Sequence, residues 1–85
     1  MRDFSIEWLL LKPSMYKFAI IGCGHIAPRH AENIKVVGEL IAVCDTIKEK
    51  ADAFAEKYNT KSYYSIDELL FNEKEINIIT ICTPN

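Results

Sequence analysis

Lys-Phe-Ala-Ile-Ile-Gly-Cys-Gly-His-Ile-Ala, residues 17–27, is the stretch of sequence that decides the fold. Residues 18–21 are continuously apolar, which predicts a short strand buried on both faces. Gly22, Gly24 and Ala27 follow at the spacing G-x-G-x-x-G/A, which is typical of dinucleotide-binding folds. Gly22 permits the tight turn off the strand, Gly24 lets the backbone approach a pyrophosphate, and Ala27 lets the next helix pack closely. The phosphates would then meet the free N–H groups and the positive end of that helix.

The segment after this motif predicts the first helix, over residues 26–37. One stripe of side chains recurs there at helical spacing: Ile26, His30, Ile34 and Val37. Pro28 falls in the first turn, where its missing N–H group is tolerated. Gly38 stands at the position of a C-cap glycine, so the helix is expected to end there.

Two further helices are predicted to begin at capping boxes, in which Ser or Thr is followed three residues later by Glu. The first box runs from Thr46 to Glu49, and its helix is expected to bury Ala51, Phe54, Ala55 and Tyr58. The second runs from Ser65 to Glu68, and its short helix is expected to bury Ile66, Leu69 and Leu70. Apolar runs predict the remaining strands at residues 40–44, 61–64 and 76–82.

Strands and helices therefore alternate as β-α-β-α-β-α-β, and such connections require a parallel sheet. The predicted fold class is α/β, a doubly wound parallel sheet that forms an incomplete Rossmann fold. The usual strand order makes strand four an open edge, which offers a route to self-association. One domain is expected, over residues 15–85. Residues 1–14 are interpreted either as a loosely docked N-terminal extension or as an apolar segment that covers exposed surface or mediates association.

The overall charge argues against nucleic acid and anionic membrane as partners, because the formal net charge is −2 and no basic block occurs. No apolar run approaches the roughly 18 residues of a membrane span. The three cysteines, Cys23, Cys44 and Cys82, form no C-x-x-C pair, so neither a disulfide framework nor a metal site is expected. The expectation is small buried thiols in a reducing cytoplasm.

Asp45 lies 23 residues after Gly22, where the second predicted strand ends. A carboxylate at that position accepts hydrogen bonds from the hydroxyls of an adenosine ribose and repels a 2′-phosphate. The alternative is a helix N-cap, but Thr46 is available for that task. NAD is therefore favoured over NADP, because no Arg follows Asp45 directly and Lys48 is the nearest cation.

The remaining candidate site residues are two histidines and the C-terminal tripeptide. His25 falls in the phosphate loop, whereas His30 is interpreted as a core or half-buried side chain. The two lie five residues apart, so they do not share a helix face and are not expected to pair on a metal. Thr83-Pro84-Asn85 follows the fourth strand, where ligands bind in open α/β sheets, although Pro-Asn is also a turn signal.

Together these segments resemble the Gfo/Idh/MocA family, which comprises glucose-fructose oxidoreductase, inositol dehydrogenase and rhizopine-catabolism enzymes. The resemblance covers residues 16–85 and rests on four stretches: residues 18–27, Asp45, residues 64–70 and residues 81–85. The run Ile-Ala-Pro-Arg-His at residues 26–30 looks further like the branch that oxidises UDP-N-acetylglucosaminuronate.

The resemblance implies which residues hold the cofactor. Those at the pyrophosphate would be Gly22, Gly24, His25 and Ile26. Asp45 would hold the adenosine ribose. Those near the nicotinamide would be Thr83, Pro84 and Asn85. The family's catalytic Glu-Lys-Pro motif and its C-terminal substrate domain come later than residue 85, so no catalytic residue is expected within this chain.

The sequence thus predicts the nucleotide-binding portion of an NAD(P)-dependent oxidoreductase that acts on a sugar or nucleotide-sugar hydroxyl. One alternative hypothesis is a non-catalytic nucleotide-binding or interaction fragment. The other is a Rossmann dehydrogenase of another family, such as a homoserine- or dihydrodipicolinate-type enzyme. The Thr-Pro-Asn ending argues against this last possibility.

Overall fold

The computed structural model describes residues 16–82, in which strands and helices alternate as expected. The elements in chain order are β1 (Lys17–Ile21), α1 (Ala27–Val37), β2 (Glu39–Cys44), α2 (Lys48–Tyr58), β3 (Lys61–Tyr63), α3 (Ile66–Asn72) and β4 (Ile78–Ile81). The predictions for residues 1–14 and for Thr83, Pro84 and Asn85 lie outside the described residues.

The four strands form one parallel sheet in the order β3-β2-β1-β4. Ile20 on the central strand β1 is in register with Val43 on one side and Thr80 on the other. From β1 in the middle of the sheet, the chain therefore winds outwards to β3 and returns to the other side of β1 with β4. This is the doubly wound order that the sequence predicts.

Two apolar clusters lie on opposite faces of this sheet. One contains Ile20 and Val43 of the strands together with Ala31 of α1 and Phe54 of α2. The other contains Ala19, Ile21, Ala42 and Cys44 of the strands and the fully buried Leu69 of α3. Because both faces of β1 and β2 are covered, residues 18–21 and 40–44 of these strands are continuously apolar rather than alternating.

The stripe predicted for α1 is confirmed at Ile34, which is buried, and His30 is half-buried. It is wrong at its two ends, because Ile26 is 51% exposed and Val37 is also exposed, and the helix buries Ala27 and Ala31 instead. Small alanine side chains let the helix axis lie close to the sheet, and this close approach outweighs the burial of larger residues one position away. The face predicted for α2 is confirmed, since Ala51, Phe54 and Ala55 are buried and Tyr58 packs against them.

The third helix buries less than the sequence predicts. Leu69 is its one buried residue, while Ile66 and Leu70 are exposed. A helix of seven residues makes just two turns, so one side chain at the centre of its contact with the sheet is enclosed and its neighbours are not.

One of the two predicted capping boxes is confirmed. The hydroxyl of Ser65 accepts a hydrogen bond from the N–H of Glu68 at 3.1 Å, which caps α3. The box at Thr46 is wrong, because α2 begins after Ile47 and has no side-chain cap. The carboxylate of Asp45 takes over this local role by accepting a hydrogen bond from the N–H of Ile47 at 2.8 Å.

Glu73 is the buried charged residue of the described chain, with 4% of its surface exposed. Its carboxylate accepts a 2.5 Å hydrogen bond from the Tyr63 hydroxyl and lies 3.2 Å from the ammonium group of Lys61. The hydrogen bond and the burial together raise the pKa of Tyr63 to about 12. This pair ties the end of α3 to β3, so α3 is fixed by a polar contact as well as by Leu69.

Gly38 does occupy the C-cap of α1, but its conformation is extended, with φ −172° and ψ −150°. The reason for glycine is therefore packing rather than a left-handed backbone. A Cβ on Gly38 would collide with the carbonyl oxygen of Tyr16 and would lie 2.8 Å from Cε1 of Phe18. The end of α1 and the start of β1 are too close together for any side chain between them.

We expect Gly38→Ala to lower the free energy of unfolding by about 1–3 kcal/mol, the usual cost of forcing atoms into a filled site. Urea titration followed by circular dichroism measures this quantity. Gly24→Ala is the matched control, because a Cβ on Gly24 meets no atom within 4 Å. Equal stability of the two variants would contradict the packing role of Gly38.

Candidate functional site

An open groove of about 1010 Å³ lies at the carboxyl ends of the strands. Its walls come from the loops that follow β1, β2 and β3 and from the end of β4. In a doubly wound sheet this edge is where ligands bind, because the connections on the two sides of the central strand diverge there. The structure brings together in it five residues predicted from the sequence: Gly22, Gly24, His25, Ile26 and Asp45.

The first wall of the groove is the glycine loop. Gly22 has φ 97°, a backbone conformation that favours glycine, and its N–H donates a 2.7 Å hydrogen bond to the carbonyl of Cys44. Gly24 has no such requirement, since its φ is not positive and a Cβ there would meet no atom of the described chain within 4 Å. The space beside Gly24 is therefore open for a ligand to approach the backbone.

The N-terminus of α1 adjoins this loop and carries an uncompensated positive dipole end. Its N-cap, Ile26, makes no side-chain hydrogen bond, and no acidic residue lies in the first turn. By contrast α2 has Glu49 in its first turn, and α3 has Asp67 and Glu68 there. Among the three helices within residues 16–82, the one beside the glycine loop alone lacks a carboxylate at its start, which suits an anionic ligand.

Asp45 connects the glycine loop with the turn after β2. Its Oδ2 accepts a hydrogen bond from the N–H of Cys23 at 2.9 Å, and its Oδ1 accepts one from the N–H of Ile47 at 2.8 Å. Each carboxylate oxygen offers two acceptor positions, so one position on each oxygen is left for hydroxyl groups of a ligand. The carboxylate can thus shape the loop and bind a sugar at the same time.

The two histidines differ in exposure. His25 is exposed on the glycine loop, and His30 is half-buried on α1, with both lining the groove. Within residues 16–82 no group of three or more His, Cys, Asp or Glu side chains is arranged to hold a metal ion. Over the same residues, no helix is long and apolar enough to cross a membrane.

Sequence reasoning missed the wall of the groove that follows β3. It consists of four consecutive residues, Tyr64, Ser65, Ile66 and Asp67. Lys50 on α2 also lines the groove and was not singled out. The signal that could have found them is topological, because β3 is parallel to β2 and its carboxyl end must open at the same edge.

The three cysteines are buried free thiols close to this edge. Burial and, to a smaller extent, the nearby carboxylate of Asp45 raise the pKa of Cys23 to about 12. Burial also raises the pKa values of Cys44 and Cys82. All three are therefore protonated at neutral pH and poorly suited to nucleophilic chemistry.

Comparison with known proteins gives a family match over residues 16–85, to the model described as the Gfo/Idh/MocA oxidoreductase family with an NAD-binding Rossmann fold. D-glucoside 3-dehydrogenase of Escherichia coli is 33% identical over 75 residues, which are 85% of this chain and 21% of that protein. Glucose-6-phosphate 3-dehydrogenase of Bacillus subtilis is 36% identical over 58 residues, which are 66% of this chain and 17% of that protein. The match favours this family over the other Rossmann families considered above.

Among solved structures, the chain is similar to the WlbA dehydrogenase of Chromobacterium violaceum, which was crystallised with NADH and UDP-GlcNAcA. The TM-score is 0.72 and the sequence identity is 28%, over 81% of this chain and 21% of that one. The chain therefore spans about one fifth of the length of the relatives that it matches.

We expect the three thiols to react with an aromatic disulfide reagent at pH 8 far more slowly in the folded chain than in urea, because the reactive species is the thiolate. For the same reason, the free energy of unfolding should fall as pH rises from about 9 towards 12, since unfolded thiols ionise first. Stopped-flow absorbance and urea titrations at several pH values measure the two effects. A thiol in the folded chain that reacts at the rate of free cysteine would contradict the conclusion that all three thiols are buried and protonated at neutral pH.

Proposed function

The chain belongs to the Gfo/Idh/MocA family of oxidoreductases with an NAD-binding Rossmann fold, and from this we propose that the groove at the strand ends binds NAD(H). The observation that carries the proposal is the combination at one point of an open space beside Gly24 and an uncapped helix N-terminus. A pyrophosphate needs both, because its oxygens must approach backbone N–H groups closely and its charge must be compensated.

In this proposal the glycine loop and the start of α1 hold the pyrophosphate. Gly22 sets the turn through its positive φ, and Gly24 leaves room for the phosphate oxygens. His25 and Ile26, which line the groove, supply backbone N–H groups at the beginning of α1. Pro28 in the first turn has no N–H of its own and does not compete for the ligand.

Asp45 is proposed to bind the adenosine ribose. Its remaining acceptor positions face the groove from the end of β2, and its charge disfavours a 2′-phosphate at the same place. Lys48 does not offset this charge, because its ammonium group lies 3.5 Å from Asp52 and over the ring of Tyr64. We therefore propose NAD rather than NADP as the cofactor.

We further propose that Thr83, Pro84 and Asn85 lie near the nicotinamide, since Cys82, the last described residue, already lines the groove. Bound NAD supplies an acceptor for a hydride from a substrate carbon. The relatives named above act on glucosides or glucose 6-phosphate, and one similar structure holds UDP-GlcNAcA. The proposed substrate of the whole enzyme is thus a sugar or nucleotide-sugar hydroxyl, with the acid–base groups and the substrate domain supplied by residues outside this chain.

We also propose that the protein is cytoplasmic and that it associates with itself through the edge of β4. A cytoplasmic location is supported by the three free thiols, which a reducing compartment preserves. Self-association through the edge of β4 stays a prediction, motivated by the exposure of Ile79 and Ile81 on that strand.

We expect Gly24→Ala to leave the free energy of unfolding within about 0.5 kcal/mol of the wild-type value and to weaken NADH binding by about tenfold or more, because the new methyl group occupies the space required by the pyrophosphate. Urea titration and titration of NADH fluorescence measure the two quantities. Gly22→Ala is the contrasting variant, since its φ of 97° makes the loss of stability the primary effect. Undiminished NADH affinity in Gly24→Ala would refute the proposed phosphate site.

We expect Asp45→Asn to weaken NADH binding and to lower the preference for NADH over NADPH by about fivefold, because the repulsion between the carboxylate and a 2′-phosphate is removed. Paired NADH and NADPH titrations give the ratio of the two dissociation constants, which does not depend on general stability. Glu49→Gln makes the same change in charge on α2 at a residue outside the groove lining and should leave the ratio unchanged. An unchanged ratio in Asp45→Asn would argue against ribose binding by Asp45.

A further inference from the structure

We propose that Asp52 and Tyr64 are positioning residues, which hold the two walls of the adenosine end of the groove at a fixed separation. The inference rests on the proposed function, because it concerns the part of the groove assigned to the adenosine half of NAD. Neither residue is part of the glycine motif, and both are distinct from Asp45 at the end of β2.

The contact joins two different elements. The hydroxyl of Tyr64, which follows β3, donates a 2.7 Å hydrogen bond to Oδ1 of Asp52 on α2. The same oxygen accepts a 2.8 Å hydrogen bond from the hydroxyl of Ser62 on β3. Asp52 thus receives two hydroxyl groups from the β3 side of the groove through one atom.

A cation reinforces this junction. The ammonium group of Lys48 lies 3.5 Å from Oδ2 of Asp52 and 5.2 Å from the centre of the Tyr64 ring. The hydrogen bonds from Tyr64 and Ser62 lower the pKa of Asp52, so its carboxylate stays charged and remains an acceptor well below neutral pH. Four side chains from α2, β3 and the loop after β3 therefore form one network: Lys48, Asp52, Ser62 and Tyr64.

The network reaches the groove through Tyr64, which is one of its lining residues. Ile47 and Lys50 line the groove from the start of α2. Tyr64 and Ile66 line it from the segment that follows β3. Ile47 and Ile66 are each about half exposed, and they give this end of the groove apolar surface suited to a flat heterocycle. Because Tyr64 both lines the groove and reaches α2, loss of its hydroxyl frees the residue that lines the groove from Asp52, while the hydrogen bond from Ser62 to Asp52 still joins β3 to α2.

Within residues 16–82, the loop that carries Tyr64 is held by hydrogen bonds at its two ends. The carbonyl of Tyr63 accepts a 3.1 Å hydrogen bond from the N–H of Asp45, and Ser65 caps α3. Between these two points the side chain of Tyr64 makes the direct link to α2. A single hydroxyl is therefore expected to control the order of the loop without determining whether the sheet folds.

The test measures binding of AMP and of inorganic pyrophosphate by the full chain, using amide chemical shifts in NMR titrations. Tyr64→Phe and Asp52→Ala should weaken AMP binding by about threefold to tenfold, the range set by loss of one hydrogen bond. Both should bind pyrophosphate as the wild type does, because the glycine loop is untouched. Asp52→Asn keeps an acceptor oxygen and should restore most of the affinity for AMP.

Tyr58→Phe and Glu56→Ala are the matched controls, since they remove a hydroxyl and a carboxylate from α2 outside the network. Amide hydrogen exchange over residues 64–68 gives a readout without ligand, and it should be faster in Tyr64→Phe than in Tyr58→Phe. Equal exchange, or unchanged AMP affinity in a chain whose wild type binds AMP, would overturn the positioning role while leaving the proposed function intact. Equal losses of AMP and pyrophosphate binding would indicate general destabilisation and would also overturn it. A folded wild type that binds neither AMP nor NADH would instead refute the proposed function, and this inference would fall with it.

Discussion

The shape of the groove depends on two hydrogen bonds that the carboxylate of Asp45 accepts from the backbone. One oxygen holds the N–H of Cys23 in the glycine loop, and the other holds the N–H of Ile47 at the entrance to α2. The loop after β1 and the loop after β2 are thereby fixed to each other by a single side chain. A carboxylate is suited to this task because it has four acceptor positions and no donor, so two backbone bonds leave it able to bind a ligand.

The sequence could predict this part of the site because hard local constraints determine it. A turn at φ 97° favours glycine, so Gly22 is recognisable from its place after an apolar strand. The parallel order then places the end of β2 beside that turn, which identifies Asp45. Packing is less predictable. The small side chains of Ala27 and Ala31 let α1 lie close to the sheet, so the periodicity of larger residues identified Ile34 correctly but not Ile26.

The contact between Tyr64 and Asp52 could not be predicted from sequence for a different reason. Tyr64 and Asp52 are polar residues at ordinary surface positions, separated by twelve residues, and no motif connects them. Their relation arises only when β3 pairs with β2 and brings its carboxyl end next to α2. A constraint on a single residue can thus be predicted from the sequence, whereas a contact between two elements can be identified only from the assembled sheet.

The three glycines of the chain show how such constraints are separated. Gly22 is required by its backbone conformation, and Gly38 by the approach of the Tyr16 backbone. Gly24 is required by neither, because its φ is not positive and nothing in the described chain lies where its Cβ would be. Glycine loses more conformational entropy on folding than any other residue, and this loss lowers stability. A glycine that neither backbone conformation nor packing requires is therefore expected where a ligand needs the space. Gly24 is therefore a candidate contact for a ligand, independently of the motif in which it occurs.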